Sequence, residues 1–532
     1  WWDYPVFAVL SAVMLAVLVY FLVYALSYRD WQHYPVQFAF LVWGFLQFVF
    51  LYLLRWIYLP AMRRPLPIPP RPGWKVGVAT TFVPGAESID MLEETVRALV
   101  AMDYPHETWV LDEEDADDVK ALCARLGAYH FTRKGLPQYQ TEAGTFESRS
   151  KHGNYNAWLQ EIGFDRYDVI TAFDPDHIPD PDFLTRSLGY FDDPEIGYVQ
   201  AAQVYYNQEA SFIARGAAEE TYGYYSSIQM TNYALGAPIV TGCHNSHRAS
   251  ALKEVGGFAP HPADDLLITL NYRLHGWKGV YLPEILAKGL TPVDWSSYLV
   301  QQRRWASSAL DIKFRLQPKM DWRASLGERL ALFIHGLYYL QSLSTPFQLL
   351  FLAFVLVTGS APGVLSFQTV GRLVLVSAVL EFCELYRQRF FLDRRHEVGL
   401  HLSAQVLGYA KWPVFVLGIY DVIRGLRGKY TITRKAGKGS RRPLTLLAPH
   451  LLVIVVIGGA WLTGMALGNI RNPLLHILAF LFILYSTGVL LTTRLSFPSS
   501  YDPALSAKVV ENRRPPASPV GRRSRVQSAP PA

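Results

Sequence analysis

Long apolar runs dominate this 532-residue chain and restrict what it can fold into. Each is close to the roughly 20 residues that a helix needs to cross a bilayer; they lie near 5–27, 36–54, 330–357, 364–382, 445–467 and 474–491. Hydrophobic residues make up 51% of the chain and charged residues only 18%. This balance is too apolar for one ordinary soluble domain and favours a membrane protein with a soluble part.

Basic residues indicate the orientation of these runs, because Lys and Arg concentrate in cytoplasmic loops. The 60–75 linker is basic, and eight Lys or Arg residues lie between 424 and 442. A seventh apolar stretch, 398–425, carries charges, and counting it as a span would put these two basic segments on opposite sides. We therefore expect about six spans, with 398–425 flat in the membrane interface.

The third run, 330–357, is about 42 Å long as a helix and exceeds a hydrocarbon core of about 30 Å. It should tilt or kink, and Pro346 is the expected kink site.

The net charge of +6 is modest, and the positive residues cluster beside the apolar runs. That placement favours anionic lipid and phosphate ligands over nucleic acid. The three widely spaced cysteines form no metal or disulfide pattern.

Between the second and third runs, residues 74–300 alternate β-like stretches with amphipathic helical patterns. WKVGVATTF, TWVLDEE, AYHFT and YDVITAFDPD are predicted strands. A helix is predicted after Asp90, with Glu93 placed as in a capping box, and another from about Asp117. The alternation predicts a mostly parallel sheet with helices on both faces, whose ligands bind at the carboxyl ends of the strands.

Acidic groups lie where such ligands would bind. Asp112 closes one strand, Asp174 and Asp176 close another, and the pair Asp264-Asp265 opens a helical run. Paired carboxylates can hold Mg²⁺ or Mn²⁺ beside substrate phosphates, and a lone one can act as a general base. Each group taken separately is also ordinary turn or helix-cap chemistry.

The stretch QQRRW (301–305) adds an amide, a guanidinium fork and an aromatic ring. On a helix Gln301, Arg304 and Trp305 share one face, at i, i+3 and i+4. An Arg fork fits phosphate, and an aromatic ring can stack on a sugar. Taken alone, the stretch also suits an interfacial helix with a Trp anchor and snorkelling arginines, so that Arg303 faces lipid headgroups.

The ordered set Asp112, FDPDH, ADD and QQRRW resembles the processive family 2 glycosyltransferases: cellulose, curdlan, chitin and hyaluronan synthases. Further segments agree, since SKHGNYNAW (150–158) is similar to KAGNxN and KYTITRK (429–435) to the FxVTxK gating loop. VTGCHNSHRASALKEVGGF resembles the segment that binds the growing polymer end, although its FFCGS motif is degraded. The usual TED triplet is replaced by Ala263-Asp264-Asp265, and the short tail after the last run leads us to expect no PilZ domain there. The resemblance covers roughly 36–492.

This resemblance implies an α/β GT-A (Rossmann-like) cytoplasmic glycosyltransferase domain, inserted between transmembrane helices of the inner or plasma membrane. Its partners would be a UDP-sugar donor, a growing polysaccharide acceptor, membrane lipids and an accessory export subunit. The implied domain boundaries are 1–60 for two membrane helices, 61–300 for the catalytic domain, 301–329 for interfacial helices, 330–385 for a membrane helix pair, 386–444 for an interfacial helix with the gating-type loop, 445–493 for a second helix pair and 494–532 for a disordered tail.

The resemblance also implies residue roles. Asp265 would be the general base, supported by Asp264. Asp174, Asp176 and His177 would hold Mg²⁺ or Mn²⁺. The implied substrate-binding residues are Thr80 and Asp112 for uridine, Lys151 and Asp174 for the nucleotide, Gln301, Arg304 and Trp305 for the diphosphate and acceptor sugar, and Thr433 and Lys435 in the gating-type loop.

The resemblance implies a processive inverting transferase that polymerises a UDP-sugar, first UDP-glucose, and extrudes a β-glucan. Three alternatives stay open: a chitin- or hyaluronan-type synthase using UDP-N-acetylglucosamine, a non-processive enzyme acting on a lipid acceptor, and a non-catalytic protein that binds nucleotide sugar.

Replacing Arg304 and replacing Trp305 should cause different losses of activity. Arg304→Ala should weaken both UDP binding and turnover, because it removes a charge-assisted bond to the diphosphate. Trp305→Ala should leave UDP affinity nearly intact while elongation stops, because an indole covers the apolar face of a pyranose. UDP titration and polymer yield measure the two effects, and equal loss of UDP affinity in both variants would contradict this division of labour.

Overall fold

A computed structural model describes residues 3–48, 53, 56, 59–317, 325–426 and 443–495. The central strand of the soluble part, VGVATTF, is buried at all seven positions. Such continuous burial is typical of a strand covered on both faces. The described strands are β1 (Val76–Phe82), β2 (Glu107–Asp112), β3 (Tyr129–Phe131), β4 (Val169–Phe173), β5 (Ile178–Pro179), β6 (Ile196–Ala201), β7 (Val204–Tyr205), β8 (Asn245–Arg248), β9 (Lys278–Leu282) and β10 (Ala287–Gly289).

The main sheet has seven strands in the order β3-β2-β1-β4-β8-β6-β9. The β1, β2, β3 and β4 strands run parallel, as predicted, whereas β8 is antiparallel to both β4 and β6, so the sheet is mixed. Phe82 lies opposite Asp112, and Thr80 lies between Val110 and Phe173. This register places the carboxyl ends of β1, β2 and β4 at one edge of the sheet. A small sheet, β5-β10-β7, lies beside it.

Helices cover both faces of the main sheet. Alternate residues of the strands enter two different cores: Ile170 packs with Trp158 on one face, and Val169 packs with Phe183 on the other. The described α-helices of the soluble part are α3 (Ile89–Val100), α4 (Asp117–Leu126), α5 (Lys151–Trp158), α6 (Phe164–Arg166), α7 (Phe183–Ser187), α8 (Phe212–Gly223), α9 (Gln229–Ala234), α10 (Ala249–Glu254), α11 (Asp264–Leu274) and α12 (Trp295–Asp311), which follow α1 (Asp3–Leu26) and α2 (Pro35–Phe48).

The predicted start of α3 is wrong by two residues, since the helix begins at Ile89 and not after Asp90. Ser88 is the N-cap and makes no side-chain capping bond, so the capping box at Asp90 and Glu93 does not form. Glu93 instead accepts hydrogen bonds from Arg97 and from Arg125 of α4. Cross-helix ion pairing thus replaces the local cap that the sequence pattern suggested.

Apolar helices follow and precede the soluble part. After α12 the helices are α13 (Leu326–Ile334), α14 (Ser344–Thr358), α15 (Phe367–Arg387), α16 (Leu402–Ala410), α17 (Trp412–Arg424), α18 (Pro443–Leu446), α19 (Ala448–Ala466) and α20 (Pro473–Leu491). In the described residues four segments are long and apolar enough to cross a membrane: α1, 326–358, α19 and α20. The other two predicted spans lie in α2, which has 14 residues, and in α15, which carries several charged side chains.

The break in the third apolar run is not at Pro346. The α13 helix ends at Ile334, and Gly336 adopts a left-handed backbone with φ 83°, which glycine tolerates best. A 3-10 helix, Leu337–Leu343, then leads into α14. Pro346 lies in the first turn of α14, where a missing N–H costs little.

The stretch predicted to lie flat, 398–425, forms two helices that are bent by 44° at Lys411. The α16 helix packs on α8, and α17 packs on α12. Gly418 allows the second contact, because a Cβ there would lie 3.1 Å from the Cβ of Ala306. The pair is therefore held against the soluble domain.

Two ion pairs fasten this bent pair. Arg303 donates to both carboxylate oxygens of Asp421, at 2.9 and 2.8 Å, so its predicted role toward lipid headgroups is replaced by a protein contact. Lys411 Nζ donates to Glu220 Oε1 at 2.6 Å, and the Tyr298 hydroxyl donates to the other oxygen at 2.7 Å. The side chains of Lys411 and Glu220 are only 3% and 15% exposed, so each buried charge needs the opposite charge of its partner to compensate for lost hydration.

Breaking the Lys411–Glu220 pair should destabilise the protein strongly. Lys411→Met or Glu220→Gln alone leaves a buried charge without its partner, which costs about 3–5 kcal/mol. The double variant should lose less than the two single variants added together. Thermal unfolding in detergent measures the effect.

The matched control is the pair Lys278 and Glu195, whose side chains are both 62% exposed. Because solvent screens such a pair, its single variants should leave the melting temperature unchanged. Equal shifts for the buried and exposed pairs would contradict the proposed importance of the buried contact.

Candidate active site

Asp112 ends β2 and is fully buried. Its oxygens accept hydrogen bonds from the amides of Glu114 and Ala116, at 2.9 and 2.6 Å, and lie 3.2 Å from His130 Nε2. Burial alone would raise the pKa of Asp112, but the bonds from His130 and the two amides outweigh it and lower the pKa below its usual value. On the next strand, the buried Thr80 hydroxyl makes no hydrogen bond within the described residues. A buried hydroxyl of this kind can form a hydrogen bond with a bound ligand.

Arg133 organises the loop that follows, and the sequence patterns gave no sign of it. This fully buried side chain donates to both oxygens of Glu113, at 2.7 and 3.1 Å. Its remaining N–H groups donate to carbonyls of the loop, those of Tyr139, Phe146, Glu147 and Ser150. Gly153 is required here, since a Cβ would lie 2.3 Å from the Glu147 carbonyl oxygen. The loop therefore delivers α5 in a fixed position.

Lys151 is the first residue of α5 and points into the site. Ser150 caps the helix by accepting from the Gly153 amide at 3.0 Å. Lys151 Nζ donates to Asp174 Oδ1 and to the Gly242 carbonyl, both at 2.5 Å. The predicted nucleotide-facing lysine thus contacts Asp174, one of the predicted metal-binding acids, directly.

Asp174, Asp176 and His177 follow β4 and form one cluster. Each offers one ligand atom, and these atoms all lie within 4.8 Å of one another. Asp176 is buried, and its Oδ2 accepts from the Leu290 amide at 3.2 Å. Two carboxylate oxygens with an imidazole nitrogen are donors that Mn²⁺ and Mg²⁺ accept. These residues therefore fit a divalent cation.

Asp264 and Asp265 lie in the first turn of α11, where the helix dipole favours negative charge. Asp265 Oδ2 accepts from the Gly242 amide at 2.9 Å, and Oδ1 accepts from Leu266 at 2.7 Å. Burial, followed by repulsion from Asp264, raises the pKa of Asp265 to about 6. Burial also raises the pKa of Asp264, against the favourable charge of Lys151. A carboxyl group with such a pKa can take up a proton near neutral pH.

Gly242 connects the two acidic groups through its backbone. Its carbonyl accepts from Lys151, which holds Asp174, while its amide donates to Asp265. The residue types alone did not predict this connection, because it is made by the backbone carbonyl and amide of Gly242. The only available signal was the glycine of VTGCHNS within the segment expected to contact the polymer.

The QQRRW stretch lies on α12, as predicted. Arg304 is near enough to Asp264 for its charge to help lower the pKa of that carboxyl. Gln301 is half-buried on the same helix, and Trp305 is 36% exposed. Thr433 and Lys435 of the expected gating-type loop lie outside the described residues.

Residues 77–308 match the family model described as "Glycosyltransferase like family 2". This region is a family 2 glycosyltransferase domain. Cellulose synthase 1 of Komagataeibacter xylinus is 25% identical over 421 residues, covering 75% of this chain. The UDP-forming cellulose synthase catalytic subunit of Xanthomonas axonopodis pv. citri (strain 306) is 26% identical over 302 residues, covering 55% of this chain.

The chain spans only 25% and 38% of the length of these two relatives. Among solved structures, a mannosyltransferase from Pyrobaculum calidifontis in complex with GDP-Man and Mn²⁺ is similar with a TM-score of 0.50 and 17% identity, over 72% of this chain and 97% of that one. That likeness agrees with a GT-A-like fold built on the mixed sheet.

The pKa of Asp265 sets an expected pH dependence for the glycosyltransferase. A base must be deprotonated to accept a proton, so sugar transfer should rise with pH through about 6 and level off above it. Asp265→Asn should lower the rate on the order of 10²–10⁴-fold and leave residual activity without this pH limb. Initial rates of nucleotide release from pH 5 to 8 provide the measurement.

Nucleotide affinity of the Asp265→Asn variant serves as the folding control and should match that of the wild type. If this variant reacted at the wild-type rate, or if its rate rose with pH through about 6 as in the wild type, another residue would be the base.

Proposed function

We propose that the chain is a membrane-embedded, processive, inverting glycosyltransferase that polymerises UDP-glucose into a β-glucan and extrudes it across the membrane. The observation that carries the proposal is the convergence of a predicted base, a cation-binding cluster and a lysine at one edge of a family 2 domain. Support for glucose comes from the similarity to cellulose synthases, one of which is named as UDP-forming.

The proposed reaction is a single displacement at the sugar's anomeric carbon. Asp265 takes the proton from a hydroxyl of the acceptor sugar as that oxygen attacks C1 of the donor. The bond between C1 and the diphosphate oxygen breaks, UDP leaves with the bonding electron pair, and the configuration at C1 inverts. Asp264, beside Asp265, raises the pKa of the base and so strengthens its hold on the proton.

Charge on the departing diphosphate needs compensation. Arg304, near Asp264, supplies a guanidinium, and Lys151, beside Asp174, supplies an ammonium. Asp174, Asp176 and His177 would hold Mg²⁺ or Mn²⁺, which neutralises developing phosphate charge when bound. Thr80 and Asp112, deeper in the sheet, would receive the uridine, and the exposed ring of Trp305 would support the acceptor sugar.

The apolar helices give the proposal its membrane part. We infer about six spans, a cytoplasmic catalytic domain between the second and third, and the domain boundaries predicted from the sequence. A hydrophilic glucan cannot cross hydrocarbon unaided, so synthesis beside a channel would couple extension to export. The ion pairs from Arg303 and Lys411 support this, because they hold the bent helices against the catalytic domain.

The decisive experiment follows the product. Full-length protein purified in detergent should release UDP from UDP-glucose with Mg²⁺ or Mn²⁺, and it should form a polymer that β-glucanases digest. EDTA should abolish both signals, because it removes the cation from the acidic cluster, and added Mn²⁺ should restore them. Asp265→Asn protein is the matched negative control.

Other outcomes select other functions. Polymer formed only from UDP-N-acetylglucosamine, and cut by chitinase or hyaluronidase, would indicate a chitin- or hyaluronan-type synthase. A single-sugar lipid would indicate a non-processive enzyme. Full UDP release in EDTA would contradict the cation, and no release from any UDP-sugar would contradict catalysis.

A further inference from the structure

The two ring nitrogens of His177 have different surroundings. Nδ1 lies 2.6 Å from Nε2 of His244, and Nε2 lies 3.7 Å from Oδ2 of Asp176. Both imidazoles are fully buried or nearly so. The contact between them therefore decides which nitrogen of His177 carries a proton.

The proton positions follow from His244. Its Nδ1 lies 3.0 Å from the Ala202 carbonyl oxygen, which can only accept, so Nδ1 carries a hydrogen. A buried imidazole with no carboxylate partner is neutral, because burying an uncompensated charge is costly. Nε2 of His244 is then an acceptor, and His177 Nδ1–H must donate to it. Cys243 Sγ, 3.2 Å from the same Nδ1, is a second acceptor.

The backbone is shaped to bring His244 to this position. His244 has φ 58°, a left-handed conformation that is uncommon for residues other than glycine. Gln200 holds the segment: its amide donates to the Cys243 carbonyl at 2.9 Å, and its oxygen accepts from the Thr241 amide at 2.8 Å. The Ala201 amide donates to the His244 carbonyl at 2.9 Å. A strained residue retained this firmly indicates a use for its side chain.

The Nε2 end of the His177 ring packs against Gly289, where a side chain would clash with it. A Cβ at Gly289 would lie 2.1 Å from His177 Nε2 and 2.3 Å from the adjacent ring carbon. The neighbouring Leu290 amide donates to Asp176 Oδ2. The end of β10 thus leaves space for the ring and fixes the carboxylate that it faces.

We propose that His244 is a positioning residue of the cation site: it holds His177 with the proton on Nδ1 and so presents Nε2 on the side of Asp176. The inference rests on the proposed cation dependence of the enzyme. Residues that fix the orientation of a metal-binding histidine typically change metal affinity 10–100-fold when replaced. Cys243 and His244 thereby gain a role that is separate from any contact with the polymer.

Manganese affinity tests the proposal. Full-length protein is titrated with Mn²⁺ at saturating UDP, and free Mn²⁺ is followed by electron paramagnetic resonance. His244→Phe keeps an aromatic ring without an acceptor and should weaken Mn²⁺ binding about 10–100-fold. His244→Gln keeps an acceptor oxygen and an N–H donor and should retain most of the affinity.

A double-variant cycle separates positioning from general damage. His177→Ala should itself weaken Mn²⁺ binding, and adding His244→Phe to it should cause no further loss, because His244 acts through His177. UDP affinity in EDTA checks folding. If His244→Phe fails that check, His244→Leu takes its place in the same comparisons.

The outcomes are distinct. Unchanged Mn²⁺ affinity in the acceptor-free variant, or losses that add in the double variant, would overturn the positioning role while leaving the cation site intact. Wild-type protein that binds no Mn²⁺ with UDP present would overturn the cation site itself, and the inference with it.

Discussion

The site depends on two hydrogen bonds made by one peptide segment. Gly242 accepts from Lys151 and donates to Asp265, so the acids after β4 and the acids that open α11 are fixed relative to one another. The same segment continues into Cys243 and His244, which contact His177. Because a buried backbone group without a partner is costly, this connection also keeps the loop itself in place. The proposed cation site and the proposed base are thus parts of one hydrogen-bonded unit.

The charges in this unit are balanced by position. Asp265 has a raised pKa because it is buried beside Asp264, whereas Asp112 is stabilised as a carboxylate by His130 and backbone amides. Two kinds of acid therefore exist within one site: one poised to exchange a proton and one fixed as an acceptor. The difference arises from neighbours and burial and could not be seen from residue type alone.

Sequence patterns predicted the features that are local along the chain. Apolar β-like runs located the strands, and the acids could then be assigned to the strand ends. The i, i+3 and i+4 spacing likewise predicted that Arg304 and Trp305 lie on one face of α12. Long-range contacts could not be predicted this way: Arg303 and Asp421 are 118 residues apart, and no periodicity relates them.

Backbone functions were missed for a different reason. Gly242 acts through its backbone amide and carbonyl, which every residue except proline has. The break in the third apolar run occurs at Gly336, which has a left-handed backbone, whereas the sequence predicted it at Pro346. The predicted capping box does not form because the helix begins at Ile89, which places Asp90 inside it, and Glu93 accepts hydrogen bonds from two arginines instead.

Adjacent arginines on α12 have a mechanical consequence. Arg303 forms an ion pair with Asp421 of the bent helices, and Arg304, about a quarter-turn further around the same helix, lies near Asp264. A helix is stiff over such a short distance, so a movement of the bent pair would also displace Arg304. Under the proposed function, force from a moving polymer and chemistry at the donor sugar would therefore be coupled through one rigid helix.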